Sequence, residues 1–358
     1  MTGLASSWTH AGTVLTIHRW VTVIGTLLAA SVAVFALCLQ FGATSVGLGT
    51  VARGIMHIVR GGEAESAGLE TSEIIMVQIR FPRVLLGFLV GSSLAAVGVT
   101  LQALLRNPLA DPYVLGVSSG SAVGVSVAML IGIGSTFMLL PMLPLFGFAG
   151  GLLALLLIYR LAQSQGRLPI HSLLLAGVIL NAILTAFIMF ITSIMEPNRS
   201  AGLMAWLMGS LTAPGYPALI VFLLYALLVL AMLMHKAQSL NMLTLGEETA
   251  CSLGLETEGI KKRLFALTAL LTGAIVSVSG MIGFVGMVIP HAVRLVIGSD
   301  HRLLLPASAL VGGMFLAVAD TIARTIMAPA EIPVGIVTAL TGGPFFLYLL
   351  LWRKDRMV

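Results

Sequence analysis

The chain has 358 residues, of which 58% are hydrophobic and 9% charged, with a mean hydropathy of +1.06. Soluble domains carry about 25% charged residues, so an ordinary water-soluble core is excluded. The net charge of +5 and pI of about 9.6 do not point to nucleic acid: the basic residues sit in connections between apolar runs, where they orient membrane spans.

The apolar run from Val21 to Phe41 is longer than the apolar stretch of a cleaved leader, about 7–15 residues, and reads as a first permanent span. Runs of about 20 apolar residues, each able to cross about 30 Å of hydrocarbon, then recur to the end of the chain. Ten spans are predicted at about 21–41, 84–105, 114–134, 142–160, 172–193, 216–235, 263–280, 282–297, 305–325 and 334–352. The expected fold is therefore all-α, a polytopic membrane protein with about ten transmembrane helices in one domain, 1–358. A β-barrel would instead show alternating segments of about ten residues. An even number of spans leaves both termini on one side. Placing them in the cytoplasm puts 13 of the 19 lysines and arginines on the inner face, which is the orienting bias.

Along the chain, polar chemistry appears at a few places. An outer loop of about 42–78 carries Glu63, Glu65, Glu70 and Glu73. Arg80-Phe81-Pro82-Arg83 then stands at the outer end of span two, and Asn107-Pro108-Leu109-Ala110-Asp111-Pro112 at its inner end. Gly87 and Gly91, and Gly116, Gly120 and Gly124, follow the small-residue spacing that lets helices approach closely. Span five starts after Pro169-Ile170-His171-Ser172 and contains Asn181, Thr185 and Thr192, polar groups that need partners or water in a membrane. The largest inner loop, about 236–262, holds Gly246, Glu247, Glu248, Leu253 and Gly254. Acids in a first turn and a glycine at the end predict a short helix lying along the inner surface. Pro290 falls inside span eight, where it frees a backbone carbonyl that must find another partner; a pathway lining and a packing kink both satisfy it. His291 beside it reads as a helix-end histidine, with no metal motif around it. Cys38 and Cys251 lie far apart and suggest neither a disulfide nor a metal site. Gly91, Gly98, Pro108 and Gly116 reappear at one constant offset as Gly273, Gly280, Pro290 and Gly298. That offset would pair span two with span seven as inverted copies, an arrangement common in transporters.

Four blocks carry a resemblance to the membrane permeases of ABC importers for vitamin B12, ferric siderophores and haem. They are Ile79–Arg83; Asn107–Pro112 with Leu115–Gly120; Gly283–Gly286 with Pro290, His291 and Arg294; and Glu331–Gly335 with Gly343–Phe346. The resemblance spans about 79–352 and implies the inverted-repeat permease fold of that family. It further implies a homodimer around a central channel in the bacterial inner membrane, with two cytoplasmic ABC ATPase subunits below and a periplasmic substrate-binding protein above. By resemblance, Arg80, Arg83 and Arg324 are the positions that meet glutamates of the binding protein. Arginine suits that role because its fork is always charged and grips carboxylates two-pronged. Residues 246–256 match the family's ATPase-coupling helices, and Pro169, Ile170, His171 and Ser172 stand at its cytoplasmic gate. The residues alone leave alternatives: lipid-headgroup contact for Arg80 and Arg83, an i,i+4 ion pair with Asp320 for Arg324, and interhelical hydrogen bonding for Asn181, Thr185 and Thr192.

The chain has no phosphate-binding loop, and none of its four lysines follows a glycine. It is therefore expected to be a transport subunit without enzymatic activity or cofactor, with ATP and magnesium bound by a partner. An ion-coupled secondary transporter is the alternative, with Asp320 as its single deep acid. An intramembrane enzyme would need a catalytic cluster that no useful spacing supplies. The cargo, whether iron chelate, haem or corrinoid, stays open.

Overall fold

The structure is a computed structural model that describes residues 15–42, 71–133, 140–164, 166–212 and 215–354, with single positions 47, 49, 50, 53, 136 and 137. Most of the first outer loop, with Glu63, Glu65 and Glu70, lies outside the described residues. The helices are α1 (Ile17–Gln40), α2 (Phe81–Leu104), α3 (Val117–Leu130), α4 (Met142–Ala162), α5 (Ile170–Ile194), α6 (Pro197–Leu207) and α7 (Tyr216–His235). They continue with α8 (Ala237–Thr244), α9 (Glu247–Ser252), α10 (Thr257–Ser279), α11 (Val285–Ile297), α12 (His301–Thr325) and α13 (Val334–Lys354). A two-residue strand pair, Thr136–Phe137 with Leu140–Pro141, is the only sheet among the described residues.

Seven described helices are long and apolar enough to cross a membrane, and three shorter apolar stretches, α3, α11 and Val334–Tyr348 of α13, stand where spans three, eight and ten were expected. Two boundaries differ from expectation. Span two does not begin at an arginine-marked end, because α2 is continuous with a π-helical turn, Met76–Arg80, and a short helical piece, Thr71–Ile75. The helix runs through both arginines because each finds partners inside the protein. Span seven begins at Thr257, and the inner loop ahead of it folds as two short helices, α8 and α9. The amphipathic α6 was not foreseen, since its Pro-Asn-Arg-Ser start carries too little apolar signal.

α2 is apolar on every side, the pattern of a helix with no solvent or lipid face, and it is buried along almost its whole length. α12, α11 and α10 pack directly against it, while α1 lies on the outside of α12. Glycine sets how close these helices come. A methyl group at Gly91 would sit 2.2 Å from the Gly312 carbonyl oxygen, and one at Gly312 would sit 2.5 Å from that of Gly91. Farther along, a methyl at Gly98 would fall 1.7 Å from the carbonyl oxygen of Gly286. That is the carbonyl freed by Pro290, so the proline's kink is bedded on the glycine face of α2. Gly91→Ala is expected to force α2 and α12 apart and cost about 1–3 kcal/mol. Gly25→Ala, with nothing within 4 Å, should leave the melting temperature unchanged or slightly raised. Equal melting of the two variants in detergent would refute the close approach.

Gly91 and Gly273 both lie inside long helices, but two of the other constant-offset pairs do not occupy equivalent local structures. Gly98 is inside α2 whereas Gly280 caps α10, and Pro108 lies in a turn whereas Pro290 is inside α11.

Candidate functional site

The bundle carries a cluster of charged side chains at each end. At the first, the C-terminus of α1, the start of α2 and the end of α12 converge. Arg83 reaches Asp320 through Nε (3.2 and 3.1 Å) and Nη2 (3.0 Å), and its Nη1 donates to Glu331 at 2.8 Å. Asp320 is almost wholly buried, whereas the Glu331 side chain is 53% exposed. Arg324 lies 3.9 Å from Asp320, farther than Arg83, and instead donates from Nη2 to the Cys38 carbonyl at 2.7 Å. Arg80, also buried, donates from Nη1 to the carbonyls of Leu39 (3.1 Å) and Gln40 (3.0 Å). These are the last carbonyls of α1, which have no partner within their own helix. Two cations thus close the negative end of its dipole. The three sequence-selected arginines are one network, and it fastens α1 to the α2–α12 pair.

At the opposite end, Gly246 (φ +109°) turns the chain from α8 into α9. Glu247 faces inward to Lys261, at 3.1 Å, while Glu248 and Leu253 are exposed. Gly254 (φ +85°) ends the helix in a left-handed cap, with Leu255 N bonded to the Ala250 carbonyl and Gly254 N to that of Cys251. Lys261 is 3% exposed and also pairs with Glu258 at 2.5 Å. It donates to the Leu168 carbonyl at 3.4 Å, while Leu168 N donates to Glu258 at 2.9 Å. Leu168 immediately precedes Pro169, the N-cap of α5. One buried ammonium therefore ties α9, the start of α10 and the entrance of α5 together. Sequence reasoning counted Lys261 only among the inner-face basic residues and did not single out Glu258. Their i,i+3 spacing was visible, but nothing marked Leu168 as the third partner.

Pro169, Ile170, His171 and Ser172 lie at the start of α5, with His171 exposed. Inside the helix, Asn181 accepts a hydrogen bond from Ser119 of α3. Thr185 and Thr192 donate back to the carbonyls of Asn181 (2.8 Å) and Ile188 (2.7 Å). Away from α3, α5 presents Leu175, Val178, Ile179, Phe187, Met189 and Phe190 outward. The same end of the bundle holds a third cluster. Asp300, the N-cap of α12, accepts from Arg302 N, the Arg302 guanidinium and Asn241. The guanidinium holds its carboxyl down at about 2. Among the described residues, no group of three or more His, Cys, Asp or Glu side chains is gathered as a metal site.

Long apolar helices around a largely buried central one, with fixed charge clusters at both ends, define a multi-pass membrane transport permease. The chain belongs to the FecCD transport family, whose profile matches residues 21–352. It is 44% identical over 295 residues to the cobalamin import system permease protein BtuC of Halobacterium salinarum, covering 80% of this chain and 76% of that one. It is 42% identical over 287 residues to the hemin transport system permease protein HmuU of Yersinia pestis, covering 79% of this chain and 84% of that one. A solved inward-facing conformation of a metal-chelate type ABC transporter superposes with a TM-score of 0.77 at 30% identity, covering 93% of this chain and 99% of that one. The relatives are permease components of ABC transporters, not enzymes, and this chain is a permease of that class.

Proposed function

We propose that this chain is the membrane-spanning subunit of an ATP-driven importer that moves a bulky iron chelate, haem or corrinoid into the cytoplasm by alternating access. In this reading two copies enclose the pathway in the bacterial inner membrane, with both termini cytoplasmic. Each copy receives a cytoplasmic ABC ATPase, which binds the ATP and magnesium. The carrying observation is the two-sidedness of α9. Its inner side is locked through Glu247 and Lys261 to the entrance of α5, while Glu248 and Leu253, the latter 56% exposed, face outward. In this reading the exposed Leu253 and Glu248, on a helix held rigidly from its other side, are what the ATPase pushes. The push would pass through Lys261 to Pro169, Ile170, His171 and Ser172, and along α5 past Asn181 and Thr185, with Pro290 as the fixed bend opposite.

At the other end the arginine network would receive the substrate-binding protein. Arg83 stands at its front, sharing Glu331 with solvent, while Arg80 and Arg324 hold the last carbonyls of α1 beside it. A glutamate of the binding protein would take the place of Glu331. The names of the cobalamin and hemin relatives support the cargo class. An ion-coupled mechanism has less support, because Asp320, the acid it would use, is held by Arg83.

Substituting Glu247, Glu248 and Leu253 together by alanine is expected to uncouple ATP hydrolysis from uptake in vesicles holding the permease, its ATPase and its binding protein. An unchanged ratio of cargo moved to ATP consumed would make the segment a mere connector.

A further inference from the structure

Beside α9, a cavity of about 420 Å³ opens between the end of α2, the Asn107–Pro108 turn, the end of α8 and the junction of α11 with α12. Arg106 and Arg294 line it, no carboxylate does, and neither arginine side chain is in an ion pair among the described residues. The chain goes out of its way to place Arg106 there. α2 ends in the same left-handed cap as α9, with Asn107 N on the Gln102 carbonyl (3.1 Å) and Arg106 N on that of Ala103 (3.3 Å). The residue in the left-handed position is Arg106, at φ +48°, where glycine is the usual occupant. Such strain in a side-chain-bearing residue is characteristic of functional positions.

Two more lining residues offer hydrogen-bond acceptors with nothing to accept. Gln102 donates its amide nitrogen to the Met287 carbonyl at 3.1 Å, which leaves its buried Oε1 without a partner. Asn241 donates Nδ2 to Asp300 at 2.9 Å, so its oxygen faces His301. That oxygen accepts from His301 N at 2.8 Å and lies 2.7 Å from Nδ1. The network therefore assigns the ring proton to Nδ1. Nε2 of His301, a residue only 2% exposed, is left with a lone pair and no partner. The site thus combines two unpaired cations with two buried, unsatisfied acceptors. A bare anion would answer the first pair and leave the second unmet.

We propose that this cavity binds a polyol phosphate, with Arg106 and Arg294 gripping the phosphate and Gln102 and His301 accepting from its hydroxyls. Glycerol phosphate is the simplest such group, available as the headgroup of phosphatidylglycerol or as the free ester. Arginine's planar fork suits phosphate oxygens, and basic pockets between helix ends at a membrane surface hold anionic lipid heads. Leu295, on the rim and 56% exposed, supplies an apolar flank for a lipid. The pocket needs no partner subunit, so its failure would leave the transport reading standing.

The test uses the full chain in phosphatidylcholine nanodiscs doped with phosphatidylglycerol or phosphatidylserine, with retained lipid read by native mass spectrometry. The wild type should retain phosphatidylglycerol about tenfold over phosphatidylserine, and Arg106→Gly, which suits the backbone turn, should lose about tenfold of that retention. Arg294→Gln should do the same, and Gln102→Leu should erase the preference while keeping some anion retention. If free glycerol phosphate raises the melting temperature and displaces the lipid, the soluble ester is the ligand; if only the lipid is retained, the headgroup is. Equal retention of all lipids by wild type and variants, with no response to glycerol phosphate, overturns the proposal. So does binding of sulfate, which has no hydroxyl to donate, as tight as that of glycerol phosphate.

Discussion

Lys261→Met is expected to leave ATP hydrolysis running while uptake falls about tenfold or more. Coupling free energies of about 1–3 kcal/mol correspond to roughly 5–150-fold effects, and this ammonium is the joint through which α9 and the entrance of α5 are connected. Its loss leaves Glu247 and Glu258, no longer bridged, to repel each other, and it frees the Leu168 carbonyl. Both carboxylates are about one-third exposed, so water can take over their charges and the fold should survive. Lys261→Arg keeps the charge and should recover part of the coupling. The measurement is cargo accumulated per ATP hydrolysed, made beside a pull-down that shows the ATPase still bound. An unchanged ratio with Lys261→Met would mean that α9 does not act on α5 through this contact.

The second large effect lies at the opposite end. Asp320→Asn removes the charge that Arg83 grips through two of its nitrogens and leaves Arg83 and Arg324 facing each other in a buried site. Breaking a buried ion pair from one side costs about 3–5 kcal/mol. Arg83 keeps Glu331, so the lower end of that range, about 3 kcal/mol, is expected, with a fall in melting temperature of roughly 4 °C for a chain of this length. The damage should spread to α1, because Arg324 also holds the Cys38 carbonyl. Hydrogen exchange at residues 38–40 should therefore speed up before the rest of the bundle responds. A variant that melts with the wild type, with residues 38–40 still protected, would show that the network does not fasten α1.

What was legible in the chain follows from which forces act locally. Burial in a membrane demands long apolar runs, so the spans were plain, and the helix at Tyr216–His235 falls where it was expected. The glycine spacing of Gly87 and Gly91 likewise signalled close packing, and Gly254 signalled the end of α9. Partner choice is not local. Lys261 and Lys262 are neighbours of one type, yet the first is buried against two glutamates and the second reaches the Gly166 carbonyl at the surface. Arg80 and Arg324 stood out as outward cations in a sequence whose positive charge lies mostly inside. Their carbonyl partners on α1 carry no residue-specific mark, because every residue has a carbonyl. Arg106 shows the same limit: a left-handed arginine is written in the backbone and not in the residue type.

The most direct test of the central claim is a transport measurement with purified components in sealed vesicles. The permease alone should accumulate no cargo against a gradient, with or without an imposed proton or sodium gradient. Adding the ATPase, the cargo-loaded binding protein and ATP should produce uphill uptake. Sustained uphill accumulation by the permease alone, driven by an ion gradient, would contradict the account.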